Sequence, residues 1–136
     1  TLKKDRDYTV SYSANKNIGT AKVTVTGKGS YTGKITKTFK INPQGQSISA
    51  KGDKSGKKIA VTLAKHSSNS GYQVSYADNS GFKNSKSLWL SVNSKNKGTI
   101  KGLKSKKTYY VKARDYKTVG KTKVYGKWSA VKKVSI

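Results

Sequence analysis

Apolar side chains return at every second position in successive runs of this chain: Tyr8, Val10 and Tyr12; Ala21, Val23 and Val25; Ile35, Phe39 and Ile41; then Ile59, Val61 and Leu63; Tyr72, Val74 and Tyr76; Leu88, Leu90 and Val92; and Tyr109, Val111 and Ala113. A two-residue period places side chains on one face of a pleated strand, whereas a helical stripe needs a spacing of three or four. The pattern predicts an all-β protein of half-buried antiparallel sheet. Three strands are expected near 7–13, 19–27 and 34–42. Seven more are expected near 47–50, 58–64, 71–77, 87–93, 98–103, 108–116 and 127–136. No segment carries a helical stripe.

Between these runs lie clusters of turn-forming residues. The chain's single Pro stands in Asn42-Pro43-Gln44-Gly45-Gln46, where Pro, Gly and amides together stop a strand. This predicts a first module over residues 1–43, a short linker at 44–46 and a second module over 47–136. Three strands in about 40 residues are marginal as an independent fold. The first module is therefore expected either to lack earlier strands of its own or to lean on the second. The second module has seven short strands separated by signals such as Asp53-Lys54-Ser55-Gly56 and Lys95-Asn96-Lys97-Gly98, the pattern expected of an immunoglobulin-like β-sandwich.

Composition narrows the function classes. The nine Tyr and two Trp are arranged periodically, which argues against disorder. Cys is absent, so neither disulfides nor thiolate metal sites contribute. No apolar run approaches the roughly 20 residues of a membrane helix, and Thr1-Leu2-Lys3-Lys4 does not start a signal peptide. The chain is expected to begin mid-protein, as a piece of something longer. Thirty Lys and Arg against five acidic residues give a formal charge of +25. Only Arg6 and Arg114 are arginines, and Lys is spread along the whole length. A dedicated reader of nucleic acid would be expected to use the bidentate guanidinium, so no specific nucleic-acid partner is expected. The Lys excess fits a solvated surface, or diffuse attraction to an anionic polymer such as a cell-wall polymer or acidic glycan.

Two stretches carry a resemblance to known families. Leu103-Lys104-Ser105-Lys106-Lys107-Thr108-Tyr109-Tyr110-Val111-Lys112-Ala113 resembles the E–F corner of fibronectin type III domains, in which a Leu precedes by six residues the Tyr that opens strand F. Gly71-Tyr72-Gln73-Val74-Ser75-Tyr76 resembles strand C, and Tyr125-Gly126-Lys127-Trp128-Ser129 the start of strand G. The resemblance covers 47–136 and implies structural roles for Tyr109, whose hydroxyl would bond back across the corner, and for Leu103 and Trp128. It departs on strand B, where many members carry Trp and this chain has Leu63. Asp7-Tyr8-Thr9-Val10-Ser11-Tyr12, Asn17-Ile18-Gly19-Thr20-Ala21 and Gly27-Lys28-Gly29-Ser30-Tyr31-Thr32-Gly33 resemble part of a bacterial immunoglobulin-like repeat. Together the resemblances imply a fragment of a modular secreted or wall-attached protein of the kind found in gut Firmicutes, located outside the cell.

Candidate chemistry is sparse. His66 is the single imidazole, expected in a solvated loop, and no Cys or Glu is available to join it at a metal. A Ser–His–Asp arrangement would need Asp53, Asp78 or Asp115 to orient His66, and no nucleophile-elbow motif is present. An internal Lys–Asn isopeptide bond would need a buried carboxylic acid beside the pair, while the Asp residues mostly occupy apparent turns. No enzyme activity, metal or cofactor is expected. Among the aromatics, Tyr72, Tyr76, Tyr109 and Trp128 share an inward parity and are expected in the core. Trp89, flanked by Leu88 and Leu90, is expected to emerge on the opposite face, with Tyr110, Tyr116 and Tyr125 beside it, either as a ligand surface for a sugar or a protein or with Trp89 packed on the neighbouring module or under a Lys stem.

The leading reading is a non-catalytic extracellular module of a bacterial surface or secreted protein, a spacer, presentation or adhesion unit that supports an adhesive or enzymatic part of that protein. One rival is a binding module for a host protein such as an immunoglobulin or mucin, or for an anionic wall polymer or glycan. The other is an accessory domain of a secreted glycoside hydrolase or peptidase. Unpaired strand edges add a further expectation, strand exchange between copies.

Overall fold

In the computed structural model, which describes residues 1–136, the alternating pattern becomes eleven β-strands with no helix. The chain divides into two units, Thr1–Asn42 and Pro43–Ile136.

The first unit is an antiparallel meander of β1 (Tyr8–Ser13), β2 (Gly19–Gly27) and β3 (Lys34–Ile41), in the order β1-β2-β3. Its register places Val10 opposite Val25 and Val25 opposite Ile35, with Tyr12 opposite Val23 and Ala21 opposite Phe39. One face is apolar except for Lys37, which stands opposite Val23, and the other is Thr, Ser and Lys, tied in part by a 3.1 Å hydrogen bond between the Thr24 and Thr36 hydroxyls. On the apolar face Ala21 is buried, whereas Tyr12 and Ile35 are 60% and 63% exposed.

The second unit holds β4 (Ile48–Asp53), β5 (Lys58–Leu63), β6 (Gly71–Ala77), β7 (Lys86–Leu90), β8 (Lys97–Ile100), β9 (Thr108–Val119), β10 (Thr122–Tyr125) and β11 (Lys132–Ser135). One sheet has the order β4-β5-β8. The other has the order β10-β9-β6-β7, with β11 also paired to β9. Ile48, Ile59, Val61, Leu63 and Ile100 from the first sheet meet Tyr72, Val74, Tyr109, Val111, Ala113 and Val134 from the second in one buried cluster. This is an antiparallel β-sandwich of the fibronectin type III kind, and the predicted all-β class holds. At ~25 cal/mol per Å² of apolar surface removed from water, such interlayer contact is the main stabilising contribution in a chain without disulfides.

Several expected boundaries move. In the short segment 44–46, Gln46 is buried, its amide donating to Ala64 O (3.1 Å) and accepting from the Ala64 and Ser47 backbone N–H groups. The strand expected over 98–103 stops at Ile100, since Gly102 takes a positive φ of 68°. The strand expected over 108–116 runs on to Val119 and turns back through Gly120-Lys121 into β10, a hairpin that was not foreseen. Gly120 has φ 61°, as a two-residue loop with Gly in the first central position requires. The final expected strand over 127–136 shrinks to β11. Across the gap between β10 and β11 the edge of β9 is still satisfied: Ser129 N–H donates to Ala113 O (2.7 Å), Ser129 Oγ accepts from Ala113 N–H (3.0 Å) and Gly126 N–H donates to Asp115 O (3.0 Å).

Candidate functional site

Strand β9 sends Tyr109, Val111, Ala113 and Asp115 inward, so Tyr110, Lys112, Arg114, Tyr116 and Thr118 line the outer face of its sheet. There, cations and aromatic rings alternate. Lys112 Nζ lies 4.0 Å from the Phe82 ring centroid and 4.8 Å from that of Trp128. The Arg114 guanidinium lies 4.3 Å from the Trp128 centroid and 3.7 Å from that of Tyr125, and its Nε donates to Gln73 Oε1 at 2.9 Å. Burial pushes the Arg114 pKa down from its ordinary value, with the nearby Tyr125 acting the other way. Phe82 reaches Lys112 from a loop in which it holds φ at 56°, a conformation that is costly for a bulky residue.

At the other end of this face Trp89 is 41% exposed and meets Tyr116 edge-on, with ring centroids 5.5 Å apart and an interplanar angle of 74°. Lys123 Nζ lies 5.7 Å from both ring centroids. Tyr116, expected on the exposed surface, is 5% exposed. The reason is Gly71, its cross-strand partner on β6: a Cβ there would stand 2.9 Å from the Tyr116 hydroxyl and would also meet the Leu90 carbonyl. With no side chain at Gly71, the tyrosine ring lies down over the backbone.

The remaining candidates fall as follows. Tyr110 and Tyr125 are half-buried, Tyr125 beneath Arg114. Trp128, expected in the core, is half-buried and stacks on the outer face with Arg114 and Lys112, because the chain leaves the sheet between β10 and β11. Tyr72 and Tyr109 are in the core, and Tyr76 packs against it. The Tyr109 hydroxyl accepts from Lys104 N–H at 2.9 Å, closing the corner over buried Leu103. Lys112, Arg114, Lys123 and Phe82 were not among the expected residues, although the outward parity of Lys112 and Arg114 was readable from β9 itself.

His66 is not the solvated loop residue expected. Its Nδ1 lies 2.6 Å from Asp115 Oδ2, with side-chain exposures of 17% for His66 and 1% for Asp115. Gln46 Nε2 donates to the other oxygen, Asp115 Oδ1, at 2.6 Å. Asp115, 49 residues away in sequence from His66, is therefore an interior carboxylate rather than a turn former. The buried acid that an isopeptide bond would require exists, but its oxygens face His66 and Gln46 rather than a Lys–Asn pair. Nearby, His66 N–H donates to the Tyr72 hydroxyl (3.2 Å), which donates to Asn93 O (2.8 Å), so the end of the sandwich is cross-tied. Two further acids are engaged at the surface. Asp53 accepts from Gly56 N–H and Ser55 Oγ and pairs with Lys58, which brings its pKa to about 2. Asp78 is lowered chiefly by its hydrogen bond from Lys107.

No protein-family model and no curated protein matches the chain. Among solved structures it is similar to the crystal structure of chicken CNTN1 FN1-FN3 domains, with a TM-score of 0.59 and 18% sequence identity over 86% of this chain. The match spans 42% of that chain's length. At this identity the likeness bears on the fold alone, and it agrees with the fibronectin type III arrangement of the sheets.

Proposed function

We propose that this chain is a non-catalytic module of a larger bacterial surface or secreted protein, acting outside the cell as a spacer, presentation or adhesion unit. The observation that carries this reading is the polar network at the end of the sandwich, which ties the loop of His66 to β9. The single imidazole faces Asp115, the most deeply buried carboxylate, and Gln46 occupies the second carboxylate oxygen. The Nδ1 contact to Asp115 braces a loop against a strand, and no hydroxyl or amine nucleophile is hydrogen-bonded to the His66 ring. The fibronectin type III fold supports the same reading, since such sandwiches serve widely as structural modules. The extracellular placement rests on the resemblance of residues 1–43 to bacterial immunoglobulin-like repeats and on the excess of Lys.

The test is to display the chain on a bacterial surface between a wall anchor and a reporter domain, and to assay the purified chain against panels of glycoside and peptide substrates. The expected result is a reporter that becomes more accessible to antibody when the chain is inserted, with no turnover. Turnover of a substrate that disappears in His66→Asn would overturn the reading.

A further inference from the structure

Lys123 differs from the other two cations that meet aromatic rings on the outer face. Lys112 and Arg114 each lie between two rings at 3.7–4.8 Å, and Arg114 is also hydrogen-bonded to Gln73. Lys123 lies 5.7 Å from Trp89 and from Tyr116, close to the outer limit of about 6 Å for attraction to a ring. The chain's four ion pairs involve Arg6, Lys58, His66 and Lys107, so Lys123 has no carboxylate partner. Its charge remains available to a ligand.

The ring beside it is both exposed and fixed. Trp89 is held edge-on by Tyr116, and Tyr116 is held over Gly71. A ligand stacking on this indole therefore meets a surface that needs little ordering on binding. Close by, Gln73 stands opposite Trp89 in the register and donates to Ser87 Oγ at 3.0 Å, placing hydroxyl and amide groups next to the ring.

From an exposed indole, an unpaired ammonium within 6 Å of it and neighbouring neutral polar groups, we infer that Trp89 and Lys123 form a binding site for an acidic sugar, a hexuronate unit of a polyanionic glycan. The apolar C–H face of the sugar covers the indole. Its carboxylate accepts a charge-assisted hydrogen bond, typically about 2.8 Å long, from Lys123 Nζ. The hydroxyls face Ser87 and Gln73. Each alternative ligand leaves one group unmatched: a phosphate polymer has no apolar face for Trp89, and a neutral sugar leaves Lys123 without its counter-charge. A formal charge of +25 also favours the approach of a polyanion, with long-range attraction raising the encounter rate. This inference goes beyond the non-catalytic reading, which stands whether or not the sugar binds.

The test is calorimetric titration of the full chain with tetragalacturonate at about 0.15 M salt, where exposed charges more than a Debye length of ~8 Å apart are largely screened. The expected result is saturable one-site binding. By analogy with the loss of a ring that stacks on a nucleic-acid base, Trp89→Ala weakens binding by about 5- to 140-fold, while Trp89→Tyr keeps most of it. Lys123→Gln, which removes one charge pair, weakens binding to a similar degree, and full methyl esterification, which removes all four ligand carboxylates, weakens it at least as much. Lys51→Gln, on β4 of the other sheet, leaves it unchanged. Three results overturn the inference: no saturable binding, equal losses in Trp89→Ala and Lys51→Gln, or inorganic polyphosphate binding as tightly as the sugar and losing the same affinity in Trp89→Ala. Trp89→Tyr and Lys123→Gln keep the test decisive even if Trp89→Ala fails to fold.

Discussion

Replacing His66 by Ala removes the hydrogen-bond partner of one Asp115 oxygen while leaving that carboxylate in the interior, 1% exposed. Only the 2.6 Å bond from Gln46 to Oδ1 then remains to the Asp115 side chain. Breaking a buried pair by deleting one member costs roughly 3–5 kcal/mol, because the surviving charge is left desolvated without compensation. His66 retains 17% exposure, and water reaching the vacated site softens the penalty, which places the expectation at about 3 kcal/mol. For a unit the length of Pro43–Ile136 each kcal/mol shifts the melting midpoint by about 4–8 °C, so the variant should melt more than about 12 °C lower. Calorimetry or circular dichroism would measure this in the wild type, His66→Ala, Asp115→Asn and the double variant. If the loss comes from an uncompensated charge, Asp115→Asn should restore part of the stability lost in His66→Ala, giving a coupling of at least about 1 kcal/mol. A shift below about 4 °C in His66→Ala, or simple additivity of the two substitutions, would refute the reasoning.

Three further outcomes are expected. Gly71→Ala should destabilise the second unit by about 1–3 kcal/mol in denaturant titration and increase the fluorescence exposure of Trp89, because the new Cβ meets the Tyr116 hydroxyl and the Leu90 carbonyl, which cannot both give way. Tyr109→Phe should cost about 1 kcal/mol by the same measurement, since it removes the acceptor for Lys104 N–H at the corner. Asp53, whose pKa is held at about 2 by Gly56 N–H, Ser55 and Lys58, should show a carboxyl carbon titration in NMR with its midpoint near that value. Because folding lowers this pKa from its ordinary 3.8, the associated stability is present above about pH 4 and is lost as pH falls toward 2; Ser55→Ala should move the midpoint upward.

The unevenly buried apolar face of the first unit shows how parity and burial separate. Val10, Val25 and Ile35 fall in one cross-strand row, as alternation predicts, yet Ile35 remains 63% exposed. Alternation decides which side chains share a face. It cannot decide whether a second layer covers that face.

The same division runs through the whole chain. The two-residue period by itself determined that the protein is sheet, where most strands lie, and that Trp89 opposes Leu88 and Leu90, because pleating is a local property of successive Cα positions. The corner at Leu103–Tyr109 was expected from the resemblance of that stretch to fibronectin type III domains, and Lys104 N–H donates to the Tyr109 hydroxyl there. Tertiary structure decided the rest, since it depends on residues far apart in sequence. Tyr116 is buried because Gly71, on another strand, leaves room for its ring. Trp128 faces outward because the chain leaves the sheet between β10 and β11 and places it against Arg114 and Lys112. His66 and Asp115 meet only when the strand carrying the acid is laid against the loop carrying the imidazole, and no local pattern encodes that contact.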